Sequence, residues 1–264
     1  IGSATATLKV DALNFTVTAT GSDPPALPRV TFPGTAANAD PAQLVSVGIT
    51  LGSSYPVNLT GRLLLTFASD FFADDPGIQF ASGGRVLNFV VPANSTRALF
   101  GINQTDVRFQ TGTVAGVITL AATFATEAGN INLTPLTAPG TTITIRPSGP
   151  RLRSVQLGTK TASGFSVFVT GYANTRNVSQ MAFTFTQATD PDKKDLKLET
   201  PSLNLSVDGP FTAYFGSTAA TAFGGQFTAT VNFNVRGDID AIQSVAVTVT
   251  NAQGTSNSGS VNLR

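Results

Sequence analysis

The stretch Arg146-Pro147-Ser148-Gly149-Pro150 divides the chain into two parts and decides how the rest is interpreted. Two prolines and a glycine within five residues cannot lie inside a paired strand or a helix, because proline has no backbone N–H to donate. Residues 141–145 before it and 153–157 after it alternate polar and apolar residues, which is typical of half-buried strands. The stretch therefore predicts a short, stiff hinge between two β-sandwich modules.

The predicted organisation follows from this hinge. Residues 1–146 form one sandwich module that begins with a strand or arm at residues 4–10, residues 147–150 form the hinge, and residues 151–264 form the second sandwich module. A chain of 264 residues is long enough for two such modules, each with its own core. Thr, Ser, Gly, Val and Phe are abundant while Glu and Lys are scarce, so the composition predicts an all-β fold.

Charge and residue usage exclude several classes of protein. Charged residues make up 12% of the chain, the net charge is +1, and no run of Lys or Arg indicates a nucleic-acid or anionic-membrane surface. No apolar run approaches the ~20 residues needed to span a bilayer. Cysteine, histidine and tryptophan are absent, so disulfides are excluded. Low charge with many Thr, Ser, Asn and Gly residues favours an extracellular or cell-surface location in a bacterium.

The N-terminal twenty residues change phase. Apolar residues occupy even positions from Ala4 through Ala6 and Leu8 to Val10, and odd positions from Leu13 to Ala19. One straight strand cannot serve both halves, because a slip of one residue moves every side chain to the other face. Two alternatives follow: a bulge at Asp11-Ala12 in a first strand that crosses between sheets, or a separate arm at residues 4–10.

If residues 4–10 form an arm, they need a partner strand. That partner is either within the same module or at the sheet edge of a neighbouring subunit, as in donor-strand pairing. The residues expected to pair with a neighbouring subunit are Ala4, Ala6, Leu8 and Val10. Such pairing predicts a homo-oligomer or a filament.

Alternation and turn residues place the remaining strands. In the first module strands are expected at 44–51, 59–67, 78–80, 86–91, 107–109, 114–124, 131–133 and 141–145. In the second module they are expected at 152–157, 165–170, 181–185, 227–235, 245–249 and 261–263, with a weaker strand at 211–215 and a single helical turn at 219–223.

Several short motifs carry a resemblance. Residues 74–80, the Gly83-Gly84-Arg85 turn and residues 110–116 are similar to a unit that recurs in secreted proteins of soil bacteria, and residues 223–227 with 245–251 are similar to its companion module. More broadly, both halves resemble immunoglobulin-like or fibronectin-III-like sandwiches, without the paired Cys and core Trp of antibody domains. The resemblance implies adhesive, scaffolding or cell-surface roles and brings no catalytic residues with it.

The chain lacks two of the side chains that catalytic sites use most, His and Cys. Without His or Cys, the Ser-His-Asp triad, Cys-His pairs and His- or thiolate-ligated metals are impossible. A pair of carboxylates could serve a glycosidase, but Glu127 and Glu199 are more simply exposed residues of an edge or a loop. The sequence therefore predicts a non-enzymatic protein with no catalytic residue and no cofactor.

Calcium is the metal that the available oxygen ligands suit best. Asp70, Asp74 and Asp75 could converge in one loop, and Asp190, Asp192 and Asp195 in another. Neither group has EF-hand spacing, and Asp-Pro turns with solvated carboxylates explain both, so no metal site is predicted.

The leading hypothesis is a non-enzymatic extracellular structural protein, a cell-surface or filament subunit that self-associates by N-terminal strand pairing. The alternative is a monomeric adhesion or ligand-binding module of a larger surface protein, binding calcium, a carbohydrate or an unidentified extracellular ligand. The loops 70–77 and 190–195 would then form the site. Stacking of sugars is disfavoured, because Tyr55, Tyr172 and Tyr214 are the only non-Phe aromatics.

Overall fold

The structure is a computed structural model that describes residues 3–10, 13–20, 23–189 and 197–264. The all-β prediction is confirmed. The described helical elements are short: α1 (Asp208–Phe215), α2 (Thr218–Thr221) and a single 3-10 turn (Ile239–Ala241). All other regular elements are strands, and they form sheets that pack around two clusters of buried residues.

The chain begins with a two-stranded antiparallel hairpin of β1 (Ser3–Val10) and β2 (Leu13–Thr20), named here the N-terminal hairpin. Val10 pairs with Leu13, so only Asp11 and Ala12 connect the strands, and these two lie outside the described residues. A two-residue connection changes the parity of the apolar positions, which explains the phase change in the sequence. The alternative of one bulged strand is therefore wrong: residues 4–10 lie in a strand separate from residues 13–19, and the two strands pair with each other.

The first sandwich comprises residues 23–145. Its strands are β3 (Val30–Thr31), β4 (Asn38–Ala39), β5 (Leu44–Gly48), β6 (Thr50–Leu51), β7 (Leu59–Ser69), β8 (Val86–Val91), β9 (Asp106–Gln110), β10 (Gly116–Thr126) and β11 (Gly140–Ile145). One sheet has the order β4-β11-β10-β7-β8, in which β4 and β11 run parallel and the other pairs antiparallel. The pairs β5–β9 and β3–β6 form the opposing layer.

Alternation along the strands builds the core of the first sandwich. In β10 the residues Ile118, Leu120, Ala122 and Phe124 are buried, and they pack with residues from the opposing layer such as Phe109. The cluster extends from Val47 to Ile145 along the chain. Two layers with facing apolar rows are the arrangement of a β-sandwich.

The second sandwich comprises residues 151–264. Its strands are β12 (Arg151–Thr161), β13 (Gly164–Tyr172), β14 (Gln180–Gln187), β15 (Ser202–Ser206), β16 (Gln226–Asn234), β17 (Ile242–Asn251), β18 (Gly254–Thr255) and β19 (Gly259–Asn262). One sheet has the order β12-β13-β16, and the other has β15-β14-β17, with β18 and β19 both pairing with β17. Strands that alternate between two antiparallel sheets in this way are typical of immunoglobulin-like sandwiches.

The second core has an aromatic centre. Phe165 and Phe233 stack with their ring centroids 4.9 Å apart, and Phe183 and Phe185 contact Phe233 edge-to-face. This cluster shares no residue with the first one. The division into independently folding domains at residues 146 and 151 remains a prediction.

Four expected strands differ from the structure. The strand expected at 44–51 is divided into β5, which pairs with β9, and β6, which pairs with β3. Residues 211–215 belong to helix α1, while residues 78–80 and 131–133 make only the isolated bridges Phe80–Phe109 and Asn132–Ala125. The helical turn expected at 219–223 is present as α2, and the sequence does not predict strands β3, β4, β15 and β18.

Candidate functional sites

The N-terminal hairpin separates apolar from polar residues by register. The directly paired positions Ala4–Ala19, Ala6–Val17, Leu8–Phe15 and Val10–Leu13 are all apolar, whereas the pairs between them are made of Ser, Thr, Lys and Asn. The register therefore sets apolar positions opposite apolar ones along both strands. Leu8 is 62% exposed. Of the strands that the structure describes, β1 and β2 pair only with each other.

The hairpin is joined to the first sandwich at a fixed point. The hydroxyl of Tyr55, a residue that is 1% exposed, donates a hydrogen bond to the carbonyl oxygen of Pro25 at 2.7 Å. Burial raises the pKa of the Tyr55 phenol, which keeps its proton available for this bond. The four residues between Thr20 and Pro25 span at most about 18 Å over their five virtual bonds. The hairpin therefore leaves the sandwich near Tyr55.

A groove of about 1170 Å³ opens on the first sandwich. Its lining comes from β7, β8 and β10 around Gly61, Phe89 and Phe124, and from the segments 99–102 and 130–138. The first segment is held beside β8 by two backbone hydrogen bonds between Leu99 and Val90. The second lies beside β10, where Leu133 donates to the carbonyl oxygen of Phe124. The two segments thus flank the three strands on opposite sides.

The rim of this groove is apolar and exposed. Ile102 is 97% exposed, Leu136 is fully exposed, and Val90 on β8 is 42% exposed. The only charged residue in the lining is Arg62. Clustered exposed apolar residues mark interaction surfaces more often than scattered single ones do. We name this surface the apolar groove.

The calcium candidates of the first sandwich have other partners. Asp75 is 2% exposed; its carboxylate accepts hydrogen bonds from the backbone N–H groups of Gly77 and Thr113 and from the Thr113 hydroxyl. Asp74 accepts two bonds from the guanidinium of Arg85, at 2.8 and 3.0 Å. Asp70 is exposed. Both carboxylates that lie close together are thus occupied by protein donors.

The remaining metal candidates are outside the structure's description. Asp190, Asp192 and Asp195 lie in the range 190–196, which is not among the described residues. Within the described residues, no group of three or more metal-ligating side chains comes together. No helix in that part of the chain is long and apolar enough to cross a membrane.

The loop of Asp74 and Asp75 is part of a buried contact between the two sandwiches, named here the junction. Arg176, which follows β13 and is 7% exposed, donates to the carbonyl oxygens of Ala73, Asp74 and Gly224 at 2.8–3.2 Å. The Thr113 hydroxyl bonds to Asp75 and accepts from the N–H of Gly225, which belongs to the second sandwich. Burial lowers the pKa of Arg176, and the carboxylates of Asp75 and Asp74 act in the opposite direction.

The predicted hinge is held by the same junction. The fully buried Asn174 accepts a hydrogen bond from the N–H of Ser148 and donates to the carbonyl oxygen of Arg146. Its own carbonyl oxygen accepts from the N–H of Ala115 in the first sandwich. Asn251 donates to the hydroxyl of Thr175. The hinge peptide is therefore bonded on both sides to residues of the second sandwich.

The motifs that carried the family resemblance converge at this junction. Residues 74–77, Arg85 and residues 112–115 supply its first half, and Gly224-Gly225 supplies its second half. Sequence reasoning had placed a ligand in the loop 70–77, but residues 73–75 of that loop face Arg176 and Thr113 instead. Arg176, Asn174 and Asn251 were missed. Only the resemblance of the neighbouring motifs indicated that this region is important, because isolated polar residues in loops do not by themselves predict a buried contact.

The other candidates of the sequence are dispersed. Glu127 is exposed and accepts a hydrogen bond from Asn58, while Glu199 lies in a segment of the second sandwich. Tyr172 lies under the guanidinium of Arg153, 5.5 Å from the ring centroid, and Tyr214 donates to the carbonyl oxygen of Gln226. With Tyr55 buried, the three tyrosines do not form one exposed platform.

Comparisons with known proteins find only low sequence identity. No protein-family model matches the chain, and no curated protein is similar to it. Among solved structures, the FN1–FN3 domains of chicken CNTN1 are 9% identical with a TM-score of 0.27, covering 94% of this chain and 67% of that chain. A two-domain fibronectin type III segment of chicken tenascin is 12% identical with a TM-score of 0.33, covering 89% and 98%.

A third solved structure is an enzyme. Red sea bream transglutaminase is 13% identical with a TM-score of 0.27, and the match covers 89% of this chain and 31% of that chain. TM-scores and identities this low establish neither a family nor a function for this chain.

Proposed function

We propose that the chain is a non-enzymatic extracellular structural protein, a cell-surface or filament subunit that self-associates through its N-terminal hairpin. The observation that carries the proposal is the register of the hairpin, which pairs apolar with apolar residues at alternate positions, together with Leu8, which is 62% exposed. A two-stranded hairpin alone is marginally stable in water and requires a third strand or a packing partner. An exposed strand edge beside an apolar face is also an aggregation risk, unless it has a specific acceptor.

Composition supports the location and the absence of catalysis. The chain has no Cys or His and only 12% charged residues, as expected for a structural protein outside the cell. Arg176 and Asn174 of the second sandwich donate to the carbonyl oxygens of Asp74 and Arg146, and the Thr113 hydroxyl of the first sandwich accepts from the N–H of Gly225. This arrangement supports a rigid subunit in which the two modules keep a fixed relative position and can transmit force from one end to the other.

The test compares two lysine substitutions in the full-length chain. Leu8→Lys places a charge at an apolar register position, whereas Thr7→Lys places the same charge at the neighbouring polar position. Sedimentation and negative-stain microscopy at several concentrations should show assemblies for the unmodified chain and for Thr7→Lys, and single particles for Leu8→Lys. Burying an unpaired ammonium group opposes association strongly, which is why the effect depends on the face.

A deletion of residues 1–22 serves as a second variant. It should give single particles that unfold with an unchanged midpoint, as the 62% exposure of Leu8 favours. Assemblies that persist after this deletion, or a full-length chain that remains monomeric at every concentration, would overturn the proposal.

The apolar groove favours one alternative function. A monomeric adhesion or ligand-binding module would use this groove, because concave and largely apolar surfaces are the usual ligand sites. That alternative predicts single particles for the unmodified chain. It also predicts equal behaviour of Leu8→Lys and Thr7→Lys.

A further inference from the structure

We infer that strand β16 pairs antiparallel with β16 of a second copy of this chain, so that the sheet β12-β13-β16 continues across a two-fold axis. The inference goes beyond the proposed function, because it uses a different part of the chain and does not involve the N-terminal hairpin. β16 is the last strand of its sheet, and of the strands that the structure describes it pairs only with β13. Its second edge therefore has no strand partner within the described part of the chain.

The backbone groups at this second edge belong to alternate residues. The N–H of Val235 donates to the carbonyl oxygen of Ser163, so odd-numbered residues of this stretch bond toward β13 and even-numbered residues point outward. The outward carbonyl oxygen of Gln226 accepts from the hydroxyl of Tyr214 in α1. No backbone hydrogen bond joins the outward groups of residues 228–234 to another described residue. Helix α1 thus covers one end of the edge and leaves this segment open.

β16 lacks the features that keep edge strands from pairing. Natural edge strands are protected by charged residues, proline or bulges. β12, the strand at the opposite edge of the same sheet, contains Arg151, Arg153 and Lys160 and two irregularities in its register with β13. β16 contains no charged residue and no proline, and its nine residues pair with β13 without a register shift. One edge of the sheet is therefore protected, and the other is open to an added strand.

The open edge is complementary to itself, which identifies a second copy as the partner. Antiparallel pairing of residues 228–234 about Val231 uses the whole open segment and sets like residues opposite each other. The exposed polar pairs are Thr228–Asn234 and Thr230–Asn232, and the half-buried apolar pairs are Ala229–Phe233 and Val231–Val231. The polar pairs are those with outward backbone groups, and each such pair exchanges two hydrogen bonds. Because the same segment serves both copies, the contact is isologous and closes as a dimer.

The pairing also covers apolar area. Phe233 is half-buried and lines a cavity of about 570 Å³ together with Phe165 and Phe185. Ala229 of the second copy lies opposite Phe233 on the same face of the extended sheet, because directly paired residues share a face. Association therefore removes part of the Phe233 ring from water, which favours the dimer.

The first test uses full-length chains, which have no cysteine of their own. Residues of a hydrogen-bonded antiparallel pair have Cα atoms about 5.5 Å apart, within the range of about 4.4–6.8 Å that a disulfide spans. Thr230→Cys mixed with Asn232→Cys should therefore give a disulfide-linked dimer under mild oxidation. Thr230→Cys alone should stay at background, because its two cysteines are diagonal neighbours about 7–8 Å apart. Thr184→Cys is the control, since Thr184 is also exposed but its strand, β14, is paired on both sides.

A proline at the open edge gives a second test. Proline is tolerated on an edge strand where the N–H faces solvent, but it cannot donate to an added strand. In full-length chains that also carry Leu8→Lys, Thr230→Pro should weaken dimerisation in sedimentation equilibrium by at least about tenfold. Thr230→Ala keeps the N–H and should dimerise like the parent chain. Circular dichroism of both variants checks that the sandwich is folded.

The outcomes separate this inference from the proposed function. In the Leu8→Lys chain the single particle should be the two-fold dimer at high concentration, whereas larger assemblies require the hairpin. If that chain stays monomeric at every concentration, or if Thr184→Cys cross-links as fast as the mixture, the β16 contact is wrong and the hairpin contact is unaffected. Larger assemblies that persist in Leu8→Lys would overturn the proposed function and leave the β16 contact standing. A faster disulfide in Thr230→Cys alone than in the mixture would overturn the register about Val231.

Discussion

The junction and the N-terminal hairpin differ in burial: polar residues are buried at the junction, whereas an apolar residue is exposed in the hairpin. At the junction Asp75, Asn174 and Arg176 are buried. Asn174 is bonded to the hinge and Arg176 to the other sandwich, while Asp75 bonds to Thr113, whose hydroxyl accepts from Gly225 of the other sandwich. In the hairpin the apolar positions pair only across two strands, and Leu8 remains 62% exposed. The junction is a completed interface within one chain, whereas in the proposed function the hairpin is half of an interface between chains.

The difference shows which energy each region supplies. Buried polar networks make the relative position of two modules specific, because any displacement leaves donors and acceptors unpaired. An apolar face has no such directional requirement and supplies association energy wherever a matching surface is found. A filament subunit needs both: a fixed shape inside and an available surface outside.

The largest expected effect is at the centre of the junction. Asp75→Ala removes the acceptor of two backbone N–H groups and one hydroxyl, and it removes a carboxylate that opposes the lowering of the Arg176 pKa by burial. Removing one partner from a buried charged network costs about 3–5 kcal/mol, and urea unfolding should show that loss. Asp70→Ala is the matched control, because Asp70 is exposed in the same loop and should change stability by less than about 0.5 kcal/mol. A loss below that value for Asp75→Ala would mean that the junction is solvated.

The next effect tests how closely the two sandwiches approach. Gly224 has a φ of +62°, and a Cβ placed there would lie 2.6 Å from the Asp75 carboxylate. Gly224→Ala should cost about 2–3 kcal/mol, from an unfavourable backbone conformation together with overpacking. In Gly209→Ala, by contrast, the new Cβ meets no atom within 4 Å and lies in helix α1, so stability should rise by up to about 1 kcal/mol. Equal effects in thermal unfolding would contradict the close approach at Gly224.

Alternating strands were readable from the sequence because they are local. The prediction of residues 86–91 as a strand matches β8, since period-2 burial requires only neighbouring positions. The strand predicted at residues 211–215 is wrong for a local reason too. Phe211 and Phe215 are four apart, a spacing that fits one face of a strand and also one face of a helix. Pro210 in the first turn of α1 is the signal that favours the helix.

The junction could not be derived in the same way. Arg176 bonds to Ala73, 103 positions away, and Gly225 bonds to Thr113 across 112 positions. A buried Arg and a solvated Arg look alike in a single sequence. The change of alternation near Asp11 is visible in the sequence itself. Whether it marks a bulge in one strand or the connection between two strands depends on strand pairing, which alternation alone does not determine.

The smallest expected change in the free energy of unfolding is for a substitution in the N-terminal hairpin. At concentrations that keep the chain monomeric, Leu8→Ala should change the free energy of unfolding by less than about 0.5 kcal/mol, because the side chain is 62% exposed. Leu63→Ala is the reference, since Leu63 is fully buried in the first core and its truncation should cost about 2–5 kcal/mol. Both values come from urea unfolding followed by circular dichroism.

The same Leu8→Ala variant should lose assembly at concentrations where the unmodified chain associates. A residue that contributes nothing to the stability of one chain but is required for contact between chains belongs to an intermolecular interface. If Leu8→Ala instead destabilised the monomer as much as Leu63→Ala, the hairpin would be packed against its own sandwich. The contrast between a completed junction and an incomplete hairpin would then be lost.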